Sequence, residues 1–346
     1  MLINFEKQKL TLGQLLNGNI TEFTSDDVKK VIKVITSWND NTLYFDLTTS
    51  GSTGKPSAIK LHRDKLMYSA KSSIDFLDSN HQFQNTLLCI NPNFIGGLMV
   101  VIRALVADLN LTIVPASSTL DHLHKGEVFD LTSMVPMQLQ YLLANDPDKL
   151  NQFRTILIGG APLPASYEQM LQDYPKLRVY QTYGMTETAS HIALKNLSAQ
   201  QKHYTTLGDV QIDTDNRQCL QIKGTITDQE WILTNDVVNI HSDNEFEWLG
   251  RADFVINSGG IKIHPETLEE QLSSQIKFPF FVAGMDDVTL GQKAVLIIET
   301  ESVLNINFDT IDRYKRPKNT YCLPNFAYTD SGKINRQKTL ELIKDS

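Results

Sequence analysis

Between residues 43 and 249, short apolar runs of strand length alternate with segments of helical period, and this alternation restricts the chain more than any other feature. The runs TLYFDLT, TLLCI, LTIV, FDLTSMV, FRTILIG and LRVYQTY read as strands. Residues 64–77, 96–109, 136–143 and 164–171 show helical spacing, and the last two open on a proline. Strand and helix in turn predict parallel strands joined by crossover helices, an α/β core. After Gly208 the runs VQI, CLQIKG, WILT and FEWLG alternate and are punctuated by Asp, Asn and Gly, which predicts a small antiparallel module. Past residues 250–253 (GRAD) a last segment carries a helix over 265–274, further strands and a final helix near 336–343. The predicted division is a large domain of residues 1–250, mainly a parallel sheet with the antiparallel module, and a small α+β domain of residues 251–346.

With 346 residues and 41% hydrophobic content, the chain can bury a core large enough for two domains. Its 32 basic and 40 acidic residues leave a formal charge of −8 and no long basic run, which argues against nucleic acid as a partner. Cys89, Cys219 and Cys322 lie far apart and are odd in number, so neither a disulfide framework nor a zinc knuckle is suggested and a reducing cytoplasm fits. The opening MLINFEKQKL lacks the apolar run of an export signal. The most apolar stretch, 94–114, is cut by Arg103 and Asp108, short of the ~18 consecutive apolar residues of a membrane span, so membrane insertion is not expected. His122 and His124 have no carboxylate or cysteine set around them and read as a solvated pair.

Thr49-Ser50-Gly51-Ser52-Thr53-Gly54-Lys55-Pro56 lies between two extended segments, YFDLT and AIKLH. Taken alone it could be a solvated hairpin tip. Its glycines let backbone N–H groups turn inward, its hydroxyls add donors and Lys55 adds charge, so it can also wrap polyphosphate. It is not a Walker loop, because GxxxxGK[ST] and the helix that follows it are missing. The string TSGSTGKP resembles the signature loop of the adenylate-forming superfamily of acyl- and aryl-CoA ligases, luciferases and carrier-charging domains. In order after it, Ile158-Gly159-Gly160-Ala161-Pro162-Leu163 resembles that family's adenine-side loop, and Gln181-Thr182-Tyr183-Gly184-Met185-Thr186-Glu187-Thr188 its central motif.

The resemblance implies ATP, Mg2+ and CoA as cofactors and co-substrates and a small-molecule carboxylic acid as substrate. Residues Thr49 to Lys55 would hold the β- and γ-phosphates, with Gly159, Gly160, Ala161, Thr182, Gly184 and Met185 lining the nucleotide. Tyr183 would stack on adenine, Thr186 would bond the α-phosphate and Glu187 would bind Mg2+, for which a carboxylate is a suitably hard ligand. Thr234-Asn235-Asp236 stands where the family has TGD, making Asp236 the ribose ligand; Asn235, which tolerates a left-handed backbone, would preserve the turn. Gly250-Arg251-Ala252-Asp253 resembles GRxD, making Arg251 a ribose or phosphate contact and Asp253 the hinge of a mobile C-terminal domain. Lys333, in Asp330-Ser331-Gly332-Lys333-Ile334-Asn335-Arg336, would be the catalytic lysine of adenylation. Gly259, Gly260 and Lys262 would border the pantetheine channel in the thioester step, although the same string also makes a tight turn before a helix opened by Pro265.

The acid is less legible. Residues 96–105 are apolar except for Arg103, and a buried guanidinium needs an anion, either an internal Asp or Glu or a second carboxylate on the substrate. INPNFIGGLMVVIRAL and TSMVPMQLQYLL resemble the o-succinylbenzoate:CoA ligases of menaquinone biosynthesis, whose substrate carries two carboxylates. Asn91-Pro92-Asn93-Phe94 departs from the PLxH of many relatives, and the signature loop begins early, so much of the usual first subdomain is expected to be absent. A CoA ligase for another aromatic or aliphatic acid, an enzyme charging a carrier protein, and a degenerate adenylate-binding module stay open as alternatives, and a homodimer is among the states allowed.

Overall fold

The computed structural model describes residues 1–5, 8–18, 25–49, 57–124, 126–328 and 334–344. Strands β1 (Leu2–Phe5) and β2 (Gln8–Thr11) and helices α1 (Leu12–Asn17) and α2 (Asp26–Asn39) come first, followed by β3 (Tyr44–Thr49), β4 (Ser57–His62) and α3 (Arg63–Leu77). Then come β5 (Asn85–Leu88), α4 (Ile95–Val106), β6 (Asn110–Ile113), β7 (Leu131–Met134), α5 (Pro136–Asn145), β8 (Thr155–Ile158), α6 (Ala165–Met170) and β9 (Arg178–Met185). Next are β10 (Ser190–Asn196), β11 (Tyr204–Thr206), β12 (Gln211–Thr214), β13 (Cys219–Lys223), β14 (Ile232–Ser242) and β15 (Glu245–Arg251). The last elements are β16 (Ile256–Ser258), β17 (Ile261–Ile263), α7 (Pro265–Leu272), β18 (Phe280–Asp287), β19 (Gly291–Glu299), β20 (Asn319–Leu323) and α8 (Arg336–Lys344).

A 13-stranded sheet organises residues up to Arg251, in the order β12-β13-β14-β15-β11-β10-β9-β8-β7-β5-β6-β1-β2. The run β1-β6-β5-β7-β8-β9 is parallel. Every residue of β7 and β8 is buried, as expected of parallel strands covered on both faces by crossover helices. At β9 the pairing switches: its other edge is antiparallel to β10, and the module β11 to β15 continues from there. The α/β core and the antiparallel module expected from the sequence are both present, and they share one sheet. The 3.6-residue spacing of Val28, Val31, Ile32 and Ile35 buries one face of α2, while α4 is buried from Gly97 to Ala104. A Cβ at Gly97 would collide with the backbone of Asn91 and Pro92, so only glycine lets α4 start against that turn.

Two assignments change. TLYFDLT becomes β3, which pairs antiparallel with β4 in a two-stranded sheet of its own and not in the parallel run, because the two strands lie close in sequence and satisfy each other's backbone groups. The first residues, which carry no expected strand, supply β1, inserted parallel beside β6 with Ile3 and Phe5 buried.

The second sheet runs β17-β16-β19-β18, with β20 parallel to β19. Alternation along β19 serves two cores. Ala294, Leu296 and Ile298 pack with Leu268 and Leu272 of α7, while Val295 and Ile297 pack with Phe326 and Ile343 on the side of α8. No helix among the described residues is long and apolar enough to cross a membrane.

Candidate active site

The loop after β8 is fixed to β9 by one buried amide. Gln181 Nε2 donates to the carbonyls of Ile158 (3.2 Å) and Ala161 (3.0 Å), and its Oε1 accepts from Leu163 N (3.1 Å). Thr182 Oγ1 donates to Ile158 O at 3.0 Å, so Gly159, Gly160 and Ala161 are held against the end of β9. The sequence motif by itself gives Gln181 no role; its low exposure and three hydrogen bonds make it the residue that positions the loop. At Gly184 a Cβ would collide with Ser190 O and His191 Cα, so the β9–β10 crossing requires glycine. Thr186 and Glu187 lie on the short turn between these strands, with Glu187 exposed, and buried Thr188 donates to Met185 O and Ser190 O to close it.

Tyr183, Asp236, Trp248 and Arg251 converge from β9, β14 and β15. Tyr183 Oη donates to Asp236 Oδ2 at 2.7 Å, and Trp248 Nε1 donates to Asp236 Oδ1 at 3.2 Å. Arg251 Nη1 lies 3.9 Å from Asp236 Oδ1, and its Nη2 donates to Asp253 Oδ2 at 2.8 Å. Burial first, then the Asp236 charge, pushes the Tyr183 phenol well above its usual range, so it stays a donor. Tyr183 also packs edge-on against Phe246 and tilted against Tyr204.

Asn235 does not form the expected left-handed turn. It lies within β14 at negative φ, and its side chain accepts from Arg217 Nη1 at 3.1 Å while donating to Asp253 Oδ1 at 3.4 Å. Hydrogen bonds from a side chain that glycine lacks replace the conformational freedom that glycine would bring.

Arg103 is 3% exposed on α4. Its Nη2 donates to Ser133 Oγ at 3.1 Å, its Nη1 has no hydrogen-bond partner, and no carboxylate offsets its charge among the described residues. Burial alone pushes its pKa down to about 10, leaving it cationic near neutrality. His191, the register partner of Gly184, is pushed down to about 3 by burial and then by Arg103, so it is neutral, with Nε2 2.8 Å from Ser73 Oγ. It borders a small cavity together with Ser69, whose buried hydroxyl also lacks a partner. Arginine and imidazole thus stand beside the strand crossing that carries the Tyr183 motif.

The remaining expected residues are dispersed. Gly259 and Gly260, at φ +58° and +86°, form the two-residue turn between β16 and β17, with Lys262 exposed next to it; this is the tight turn the sequence allowed. Hydrogen bonds join the second sheet to the first through α7, where Glu266 Oε1 accepts from Arg251 N at 3.3 Å and Thr267 Oγ1 donates to Leu249 O at 3.0 Å. Residues 50–56 and Lys333 lie outside the described residues, as does the side chain of Thr49. Their flanks are described: Thr49 pairs with Ser57 across the hairpin, and Arg336 Nη2 donates to Glu269 Oε2 at 2.8 Å. His122 and His124 are exposed.

The family model "AMP-binding enzyme" matches residues 7–217. A 2-succinylbenzoate–CoA ligase of Staphylococcus epidermidis is 28% identical over 325 residues, covering 84% of this chain and 68% of that protein. The acyl-CoA synthetase (AMP-forming)/AMP-acid ligase II-like protein of Dyadobacter fermentans superposes with a TM-score of 0.66 at 32% identity, covering 96% of this chain and 99% of that one. O-succinylbenzoate coenzyme A synthetase of Bacillus subtilis, in complex with ATP and magnesium ion, shares the fold with a TM-score of 0.72 at 22% identity, over 85% of this chain and 69% of that one. The motif order, the crossing at Gly184 and a family match over well over half its length make this chain a member of the AMP-binding enzyme family, an AMP-forming acyl-CoA synthetase.

Proposed function

We propose that this chain converts o-succinylbenzoate to o-succinylbenzoyl-CoA in two half-reactions. In the first, the substrate carboxylate attacks the α-phosphorus of ATP and pyrophosphate leaves; in the second, the thiol of CoA loses its proton, attacks the acyl carbon and displaces AMP. The observation that carries the choice of acid is Arg103, a buried cation with a free N–H and no internal carboxylate among the described residues. Leaving such a charge unpaired costs several kcal/mol by the general penalty for buried ions, about what a substrate carboxylate gripped by the guanidinium would recover. Curated relatives named 2-succinylbenzoate–CoA ligase support the same acid.

In this reading the nucleotide lies across the end of β9. Gly159, Gly160 and Ala161 take the adenine side with Thr182, Tyr183, Gly184 and Met185, while Asp236, steadied by Tyr183 and Trp248, and Arg251 take the ribose. Thr49, Ser50, Gly51, Ser52, Thr53, Gly54 and Lys55 wrap the distal phosphates, and Thr186 bonds the α-phosphate. Exposed Glu187 fits Mg2+ as a hard oxygen donor beside the Thr186 hydroxyl; the ion, when bound, neutralises phosphate charge. Lys333 stabilises the charge that develops between carboxylate and phosphate, and Gly259, Gly260 and Lys262 border the CoA arm. Residues 251–346 are assigned as the mobile domain turning at Asp253, consistent with cores built from residue 256 onward.

Acid-dependent exchange of labelled pyrophosphate into ATP, run over a panel of mono- and dicarboxylic aromatic and aliphatic acids, tests the assignment. o-Succinylbenzoate should give the highest exchange, with thioester formed once CoA is added. Higher exchange with a monocarboxylic acid would overturn the choice of substrate.

A further inference from the structure

Away from the nucleotide side, one face of the antiparallel half of the sheet gathers three metal-ligating side chains. Tyr204 of β11 pairs in register with Phe246 of β15, and their rings stack at 5.4 Å on the inner face. By strand alternation the next residues outward, His203 and Glu247, are cross-strand neighbours on the opposite face. On the other side of β15, Ile240 of β14 also pairs with Phe246, and the register shifts between Ile240 and Ser242. The extra residue at that irregularity is His241, and a bulge of this kind re-aims the side chain it carries. The imidazoles of His203 and His241 stack with centroids 3.7 Å apart, and His241 Nε2 lies 3.6 Å from Glu247 Oε2. The three donor atoms fall within 4.8 Å of one another, the one such set found among the described residues.

We propose that His203, His241 and Glu247 form a binding site for a borderline divalent transition-metal ion of the Zn2+ type. Two imidazoles and one carboxylate suit Zn2+, Co2+ or Ni2+ and not the Mg2+ of the nucleotide site, which prefers oxygen ligands throughout. Three ligands leave a fourth position for water, and binding turns the two accessible imidazoles about their side-chain torsions, out of the stack, so that both in-plane lone pairs face one ion. The ion would staple β11, β15 and β14 together. Two of these strands carry Asp236, Trp248 and Arg251, so occupancy would stiffen the segment behind the nucleotide side without touching it. The site does not depend on which acid the enzyme activates.

The full chain, stripped of metal with a chelator, is titrated with Zn2+ by calorimetry and with Co2+ by visible absorption. Wild type should bind one Zn2+ per chain with micromolar or tighter affinity, show Co2+ bands of a low-coordinate site that Zn2+ abolishes, and rise in Tm on binding. The variant H203A/H241A should lose at least about a hundredfold in affinity and E247Q about tenfold, with Zn2+ no longer raising the double variant's Tm. The side chains are partly exposed, so both variants should keep the wild-type circular dichroism and Tm in the absence of metal. Absence of Zn2+ uptake by wild type, or equal uptake by H203A/H241A, overturns the site.

Discussion

The hydroxyl of Tyr183 on β9 and the carboxylate of Asp236 on β14 meet at 2.7 Å, although 53 residues separate them in sequence. Trp248 donates to the other oxygen of the same carboxylate, so Asp236 is held by two neutral donors with Arg251 nearby. Tyr183→Phe removes one donor and leaves the ring packing against Phe246 in place. The expected result is a KM for ATP raised about tenfold, from a charge-assisted hydrogen bond of roughly 1.5 kcal/mol, with unfolding stability lowered by a similar amount. Initial rates at varied ATP and urea unfolding measure the two effects.

Arg103 separates a structural role from a binding role. A buried ion with a free N–H is costly, so Arg103→Met should leave Tm unchanged or higher while raising the KM for o-succinylbenzoate at least about tenfold. A structural arginine would show the reverse, a lower Tm with an unaltered KM. The group is pushed down to about 10, below its unfolded value, so acid binding should hold through neutral pH and weaken as pH rises through that point.

The imidazole of His191 makes stability fall in acid. Its folded pKa, pushed down to about 3, lies below the unfolded value of 6.5, so between these limits the unfolded chain binds a proton that the folded chain excludes. Stability from this group is present above pH 6.5 and is lost as pH falls toward 3. His191→Gln, able to keep a bond to Ser73, should flatten the stability–pH curve by about one proton over that window, read from urea midpoints at several pH values.

Gln181 holds two carbonyls and one N–H of the loop after β8. Gln181→Leu keeps the volume and orphans these groups in a buried place, at a cost of about 1–3 kcal/mol. A lower Tm together with weaker AMP binding in calorimetry is the expected pair of effects. Weaker binding at unchanged stability would contradict a positioning role.

For Lys333, the expected signature is a split between half-reactions. Lys333→Ala should lose adenylation by about a hundredfold or more, as for removal of a transition-state charge partner. The same variant should still convert supplied acyl-adenylate and CoA to thioester. Pyrophosphate release and thioester formation, assayed separately, check both halves.

What could be read along the chain was whatever depends on near neighbours. The strings QTYGMTET and GRAD, the strand runs from TLLCI to LRVYQTY, and the change to short alternating strands after Gly208 are local patterns that the fold keeps, while TSGSTGKP beyond Thr49 lies outside the described residues. Strand partners are another matter. TLYFDLT reads like any buried strand, yet among the described residues it pairs only with β4, while the four-residue run Leu2–Phe5 enters the great sheet, because strand pairing is fixed by contacts far away in sequence. The sequence alone determined which residue types are available for adenylate chemistry and in what order. Only the tertiary structure decided that Arg103 has no internal carboxylate among the described residues, that Gln181 fastens the loop after β8, that Asn235 reaches Asp253 and that two histidines and a glutamate share one face. The physical reason is that charge compensation and hydrogen-bond satisfaction are properties of what surrounds a buried group, and those surroundings come from strands and helices up to a hundred or more residues away.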